Sequence, residues 1–251
     1  MDRITKINQL LQQFPPGVIF LSKWLNDHGY SYSLQQQYRK SGWLIGIGKG
    51  AMKRSGDGML IGGAIHALQQ QAGIPVHIGG RTALGIQGLV QYLETGGSET
   101  LLYAKNGINL PSWISNNSWD SKPRLIHTSF LPNEVGLVEN REAGFTLKIS
   151  NPARAMMECL ELAPTDFDLY EAFEIMENLG SLQPDIVQTL LENCRSVKVK
   201  RLFLYFSEKA GHAWFKYLKP DRIDLGKGKR SIVKNGVWVT TYQTTLPGDL
   251  V

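Results

Sequence analysis

Pro15-Pro16-Gly17 cuts off an apolar repeat of helical spacing, and that stop sets the scale of the first fifty-odd residues. Ile4, Ile7, Leu10, Leu11 and Phe14 recur three and four residues apart, which is one face of an amphipathic helix. The proline pair cannot donate backbone hydrogen bonds and crowds the residue before it, so the helix ends there. Leu21, Trp24 and Leu25 behind Ser22 predict a second short helix, closed by the polar, glycine-terminated Asp27-His28-Gly29. Ser31 or Ser33 caps a third, Leu34 to Lys40, in which Leu34 and Tyr38 share a face. Gly42 ends it. Trp43 to Ile47 reads as a strand, Gly48-Lys49-Gly50 as a glycine turn and Ala51 to Arg54 as the returning strand. Helices succeeded at once by a hairpin with a basic tip and exit predict a winged helix-turn-helix over residues 1–56.

The third helix carries the side chains that read DNA. Gln36 and Lys40 project opposite its apolar face, with Gln35 and Arg39 on one flank. Glutamine pairs bidentately with adenine N6/N7 and arginine with guanine O6/N7. Lys49, Lys53 and Arg54 of the hairpin are expected against phosphates, where they set register. Gly46-x-Gly48-x-Gly50 is a poor nucleotide loop, because a strand rather than a helix comes after its glycines. The charge distribution agrees with a nucleic-acid partner. Residues 1–56 hold eight basic and two acidic side chains, 57–194 seven and sixteen, and 195–251 twelve and four, within a net charge of +5. Two basic ends around an acidic middle predict an anionic partner, double-stranded DNA at the N-terminal end.

Residues 57–251 read as a larger mixed domain, giving an α+β fold class. Met59 to Ala72 and Arg81 to Leu93 look helical, and Val76 to Ile78, Leu101 to Ala104, Leu125 to Phe130 and Phe145 to Ile149 look extended. Four helices come next. Asn151-Pro152 opens the first, and Asp168 with Glu171 at capping-box spacing opens the second. Pro184 opens the third, and Lys198 to Lys209 forms the last. Asn235-Gly236 predicts a hairpin joining Ser231–Lys234 to Val237–Tyr242.

No motif predicts catalysis, a metal or a cofactor. Asp166-x-Asp168 has the spacing of a nucleotidyltransferase metal pair, but it sits in a turn ahead of a helix and reads better as a cap. The five histidines are scattered, and Cys159 and Cys194 lack ligand spacing, as expected of free thiols in a reducing compartment. No apolar run is long enough to span a membrane, so a cytoplasmic protein is expected. A ligand-sensing regulator and a metal-dependent nucleotidyl-transferring enzyme stand as the alternatives to a non-catalytic DNA-binding protein.

Lys198, Lys200 and Arg201 open the last helix, and Lys227-Gly-Lys-Arg230 forms a glycine-spaced basic run. Three groups of residues carry a family resemblance: Ile78-Gly-Gly-Arg-Thr-Ala-Leu84; Ser150-Asn-Pro-Ala-Arg-Ala-Met-Met-Glu158; and Ser196 to Tyr205 with Glu208 to His212 and Arg222 to Arg230. Together they resemble the AbiEi-type antitoxins of bacterial abortive-infection, or type IV toxin-antitoxin, systems. The resemblance implies an N-terminal winged helix that represses the shared toxin-antitoxin promoter. It also implies a C-terminal domain that opposes a nucleotidyltransferase toxin, generally without a stable complex. By position it assigns DNA reading to Gln35, Gln36, Arg39 and Lys40, and backbone contacts to Lys49, Lys53 and Arg54. The antitoxin role falls on Lys198, Lys200, Arg201, Lys227, Lys229 and Arg230.

Overall fold

A computed structural model of the chain describes residues 5–90 and 98–251. In chain order the N-terminal elements are α1 (Lys6–Gln13), β1 (Ile19–Leu21), α2 (Ser22–Asp27), α3 (Tyr32–Lys40), β2 (Leu44–Gly48) and β3 (Ala51–Arg54). Next come α4 (Ile61–His66), β4 (Val76–Ile78), α5 (Gly80–Ile86), β5 (Glu99–Ala104), α6 (Ser112–Ser115), β6 (Lys122–His127), β7 (Leu137–Glu142) and β8 (Phe145–Ser150). The helices α7 (Pro152–Leu162), α8 (Leu169–Glu177), α9 (Pro184–Asn193) and α10 (Val197–Lys209) precede the short strands β9 (Arg230–Ser231), β10 (Val237–Val239) and β11 (Thr244–Leu246). The class is α+β, as the residue pattern predicts. Ile4, at the start of the first predicted helix, and Leu93, at the end of the predicted Arg81–Leu93 helix, lie outside the described residues; α5 itself stops short of that prediction at Ile86, where the chain turns through Gly88 at φ +72°.

The chain divides into two compact units. One comprises Met1–Ile78, Glu94–His127 and Glu139–Lys148, and the other Gly79–Leu93, Thr128–Val138 and Ile149–Val251. In the first, α1 to α3 pack on a three-stranded antiparallel sheet of order β1-β3-β2, the architecture of a winged helix. Ile7, Leu10, Phe20, Leu25, Tyr38, Leu44 and Met52 are buried in its core. Phe14, the last residue before the proline stop, meets Phe20 and Trp24 edge-on, each at 5.5 Å. The strand β1 has no counterpart in the residue pattern, because three apolar residues carry no alternation to mark them.

Two glutamines fasten the winged helix to the rest of its unit. The chain after α4 continues as a π-helical turn, Ala67–Gln71, and these glutamines face different strands from it. Gln71 accepts from the Leu21 N–H and donates to the Ile19 carbonyl, both at 2.8 Å, so its amide substitutes for a strand along the outer edge of β1. Gln69 accepts from the Lys148 N–H at 2.8 Å and donates to the carbonyls of Val76 and Lys148. Gly63 passes so near the Pro-Gly turn that a Cβ there would lie 2.0 Å from the Gly17 carbonyl oxygen. A five-stranded mixed sheet of order β6-β5-β4-β8-β7 completes the layer, β4 antiparallel and β6 parallel to β5. Ala143 and Gly144, both at positive φ, close the β7–β8 hairpin, as a two-residue primed turn requires.

The second unit is built on helices with readable starts. Asn151 accepts from the Arg154 N–H, and Asp168 accepts from the Tyr170 and Glu171 N–H groups. The reciprocal half of the predicted capping box does not form: Glu171 instead pairs with Arg81 at 2.9 Å. The segment Ser150 to Glu158 is a buried polar latch. Arg154 pairs with Glu158 at 2.9 Å and donates to the carbonyls of Pro132 and Val135, while Glu158 accepts from the Gly80 N–H and the Ser150 hydroxyl. The predicted hairpin around Asn235-Gly236 is corrected. β10 pairs antiparallel with β11, and β9 runs parallel to β11 on its other side. Asn235 does turn at φ +58°, but residues 232–234 do not pair back onto β10.

Candidate nucleic-acid interface

Helix α3 starts where Ser31 accepts from the Leu34 N–H, which settles the choice between the two candidate caps. Its inner face holds buried Tyr38 and half-buried Leu34, as predicted, but Gln35 joins them instead of lying on the exposed flank. Gln35 is 1% exposed. Its amide accepts from the Ser22 hydroxyl at 2.5 Å and donates to the carbonyls of Ser22 and Tyr30, tying α3 to the start of α2 and to the turn between them. A side chain so engaged cannot reach a base, and Gln35 leaves the reading set. Three consecutive glutamines hide which one turns inward; the clue is that position 35 neighbours Tyr38 and Ser31 on the helix surface.

The outer face holds Ser33, Gln36, Gln37 and Lys40, flanked by Tyr32 and Arg39, all exposed. Among the described residues no side-chain hydrogen bond engages Gln36, Gln37, Arg39 or Lys40. Gln37 and Ser33 join this face by spacing of three and four residues, and they extend the predicted set. Two neighbouring unengaged amides and two cations are what a helix needs to meet base edges and phosphates in a major groove.

The wing contributes less charge than the sequence suggests. Lys49 is exposed at the turn. Lys53 is half-buried and its ammonium donates to the Asp57 carbonyl. Arg54 donates to the carbonyls of Leu11 at 2.6 Å and Phe14 at 3.3 Å, satisfying the end of α1, and lies 3.9 Å from Asp57. Arg54 is therefore a cap for a helix C-terminus, a role that suits a cation and removes it from the phosphate set. The wing tip is held in place. A Cβ at Gly48 would lie 2.7 Å from the Cβ of Trp113 in α6, and Asn117 donates to the Ile47 carbonyl at 2.8 Å.

At the C-terminal end the six predicted cations separate into two kinds. Lys198 donates to the carbonyls of Glu161 and Ala163, and burial pulls its ammonium below the usual lysine range. Lys200 is 4% exposed and Arg201 2%. The Arg201 guanidinium donates to the carbonyls of Leu225 at 3.0 Å, Gly228 at 2.9 Å, Gln243 at 2.8 Å and Gly226 at 3.3 Å. These three residues form no surface patch: all three are drawn inward, and backbone oxygens occupy the Lys198 ammonium and the Arg201 guanidinium. Lys227, Lys229 and Arg230 are exposed, with Lys229 5.3 Å above the Trp238 ring. From Leu225 to Gly248 the chain has no acidic residue.

Among the described residues no group of three or more His, Cys, Asp or Glu side chains is placed to hold a metal ion. Asp168 is occupied as a cap and Asp166 is exposed in the preceding loop. Cys159 and Cys194 are buried and free; burial raises both thiols, Cys194 to about 11. No helix among the described residues is long and apolar enough to cross a membrane.

Family models match almost end to end. The AbiEi antitoxin N-terminal domain of transcriptional regulators matches residues 3–95, and the transcriptional regulator, AbiEi antitoxin, type IV toxin-antitoxin system model matches residues 98–247. The chain belongs to the AbiEi antitoxin family. No curated protein sequence gives a significant match. The fold is similar to the crystal structure of the RV2827C protein from Mycobacterium tuberculosis, with a TM-score of 0.60 at 14% identity over 96% of this chain and 92% of that one. At that identity the likeness is one of fold. Two of the AbiEi segments that carry the sequence resemblance act in this structure as internal clamps, through Arg154–Glu158 in one and Arg201 in the other.

Proposed function

We propose that this AbiEi regulator binds the promoter of its own toxin-antitoxin operon through α3 and the wing, represses it, and opposes a nucleotidyltransferase toxin through its C-terminal unit without catalysis of its own. Acting on a promoter places its work in the cytoplasm. The observation that carries the DNA half is the outer face of α3, where Gln36, Gln37, Arg39 and Lys40 stand unengaged on a helix whose inner face is fixed by Gln35. For the antitoxin half, the exposed run Lys227, Lys229 and Arg230 replaces the six-residue patch, because Lys198, Lys200 and Arg201 are drawn inside.

Binding of the full chain to operator and random duplexes tests the first half. Gln36→Ala and Arg39→Ala should each reduce operator preference by about 1–3 kcal/mol, as loss of a bidentate base contact does. Lys49→Ala should weaken both duplexes alike and lower the salt slope by about one. Equal losses on both duplexes for all three variants would contradict this division of roles. Co-expression with the toxin, scored for growth, tests the second half.

A further inference from the structure

Arg201 does more than bury a charge: it decides which way the peptide groups of the basic loop point. Its guanidinium holds the carbonyls of Gly226 and Gly228 on the inside. Both succeeding peptide bonds are trans, since the one cis bond among the described residues is Ala163–Pro164. In a trans peptide the N–H points opposite to the C=O. The N–H groups of Lys227 and Lys229 are therefore turned outward, away from Arg201. Neither finds an acceptor among the described residues, and both residues are exposed.

Gly226 and Gly228 adopt φ of +64° and +82°, while Lys227 between them stays at negative φ. Turns that contain left-handed residues are a backbone geometry that can present N–H groups to an anion. Gly226 has a second reason to be glycine, since a Cβ there would meet Val197 Cγ2 at 2.9 Å; around Gly228 the space is open. Lys227, Lys229 and Arg230 are all exposed on this loop; the acidic side chain next to it is Asp224, whose carboxylate accepts from the Gly226 N–H, and none comes after it before Asp249.

We propose that Gly226-Lys-Gly-Lys-Arg230 is a phosphate-binding loop, in which the outward N–H groups of Lys227 and Lys229 and the three flanking cations take the oxygens of one phosphate group. This deepens the antitoxin reading of the same loop by naming what it binds, and it stands or falls separately from toxin rescue. An acidic protein surface would use the charges but has no need of the two outward N–H groups, which the oxygens of a small anion can accept from.

The test is a titration of the ¹⁵N-labelled full chain with inorganic phosphate and, separately, with a single-stranded RNA octamer. The amides of Lys227 and Lys229 should shift saturably in both arms. Saturation by RNA at a tenfold or greater lower concentration identifies a nucleic-acid backbone as the source; equal concentrations identify free phosphate. Gly228→Ala keeps every charge but disfavours the left-handed conformation, and it should weaken phosphate binding tenfold or more. Lys229→Gln should weaken it less, and the melting temperature of both variants should stay near wild type. Absence of shifts at these two amides, or Gly228→Ala titrating like wild type, overturns the phosphate loop. If Gly228→Ala loses phosphate and still rescues toxin-expressing cells, the phosphate loop stands and the antitoxin reading of it falls.

Discussion

Replacing Arg201 with methionine keeps most of the length and the apolar stem of the side chain and removes the guanidinium, so it isolates what the four carbonyl contacts contribute. Hydrogen bonds to a charged group are worth about 1.5–3 kcal/mol each, which would give roughly 6–12 kcal/mol for four. Two effects reduce that figure. Gly226, Gly228 and Gln243 are exposed, so their carbonyls regain water when the cation is gone. The variant also no longer carries the cost of desolvating a guanidinium. The net loss should therefore resemble that of breaking a buried ionic network, about 3–5 kcal/mol. For a chain of this size each kcal/mol shifts the midpoint by about 2–4 °C, so a fall on the order of 10 °C is expected. Urea unfolding monitored by tryptophan fluorescence measures the loss, and hydrogen exchange locates it. Residues 225–230 should lose protection first, because Arg201 holds the carbonyls of Leu225, Gly226 and Gly228 to α10, whereas Tyr242 keeps its own contact with Glu208. A loss below about 1 kcal/mol with protection of that segment intact would refute the clamp.

Three further outcomes are expected from the same kinds of contact. Gln35→Ala should destabilise the winged helix by about 1–3 kcal/mol in urea unfolding, because it leaves the Ser22 and Tyr30 carbonyls without their donor, whereas Gln36→Ala should change stability by less than about 0.5 kcal/mol. Glu158→Ala should cost about 3–5 kcal/mol by stranding buried Arg154, and Glu158→Met with Arg154→Met together should cost less than the single change, a comparison that a double-mutant cycle makes directly. Iodoacetamide at pH 8 should leave Cys159 and Cys194 unmodified in the native chain and alkylate both in urea. Because burial raises the Cys194 thiol to about 11 from its usual 9, its contribution to stability is complete below pH 9 and is lost as pH rises through 11.

The parts of this fold legible in the sequence are those whose signal is local. Pro15-Pro16 ends α1, Asn151-Pro152 and Pro184 open helices, and Asp168 caps one, because each acts on its own backbone or on that of its immediate neighbours. The winged helix is legible for the same reason, down to the exposed positions Gln36, Arg39, Lys40 and Lys49. Cations are legible as cations but not as surface. Arg54 and Lys198 meet backbone carbonyls brought in from 35 or more residues away, and Arg201 meets carbonyls from 24 to 42 residues away; no spacing rule reports such partners. The misplaced hairpin has the same origin. Asn235-Gly236 is a correct turn signal, yet the residues before it do not pair back onto β10, because the chain leading into them is bound on one side by Arg201 and on the other by β11. A glycine-spaced run of lysines thus has two readings in sequence, a charged surface or a packed loop, and the structure makes it both. Arg201 holds the carbonyl side of the peptides inside, and that same act is what turns the N–H groups of Lys227 and Lys229 outward, on the side where both residues are exposed.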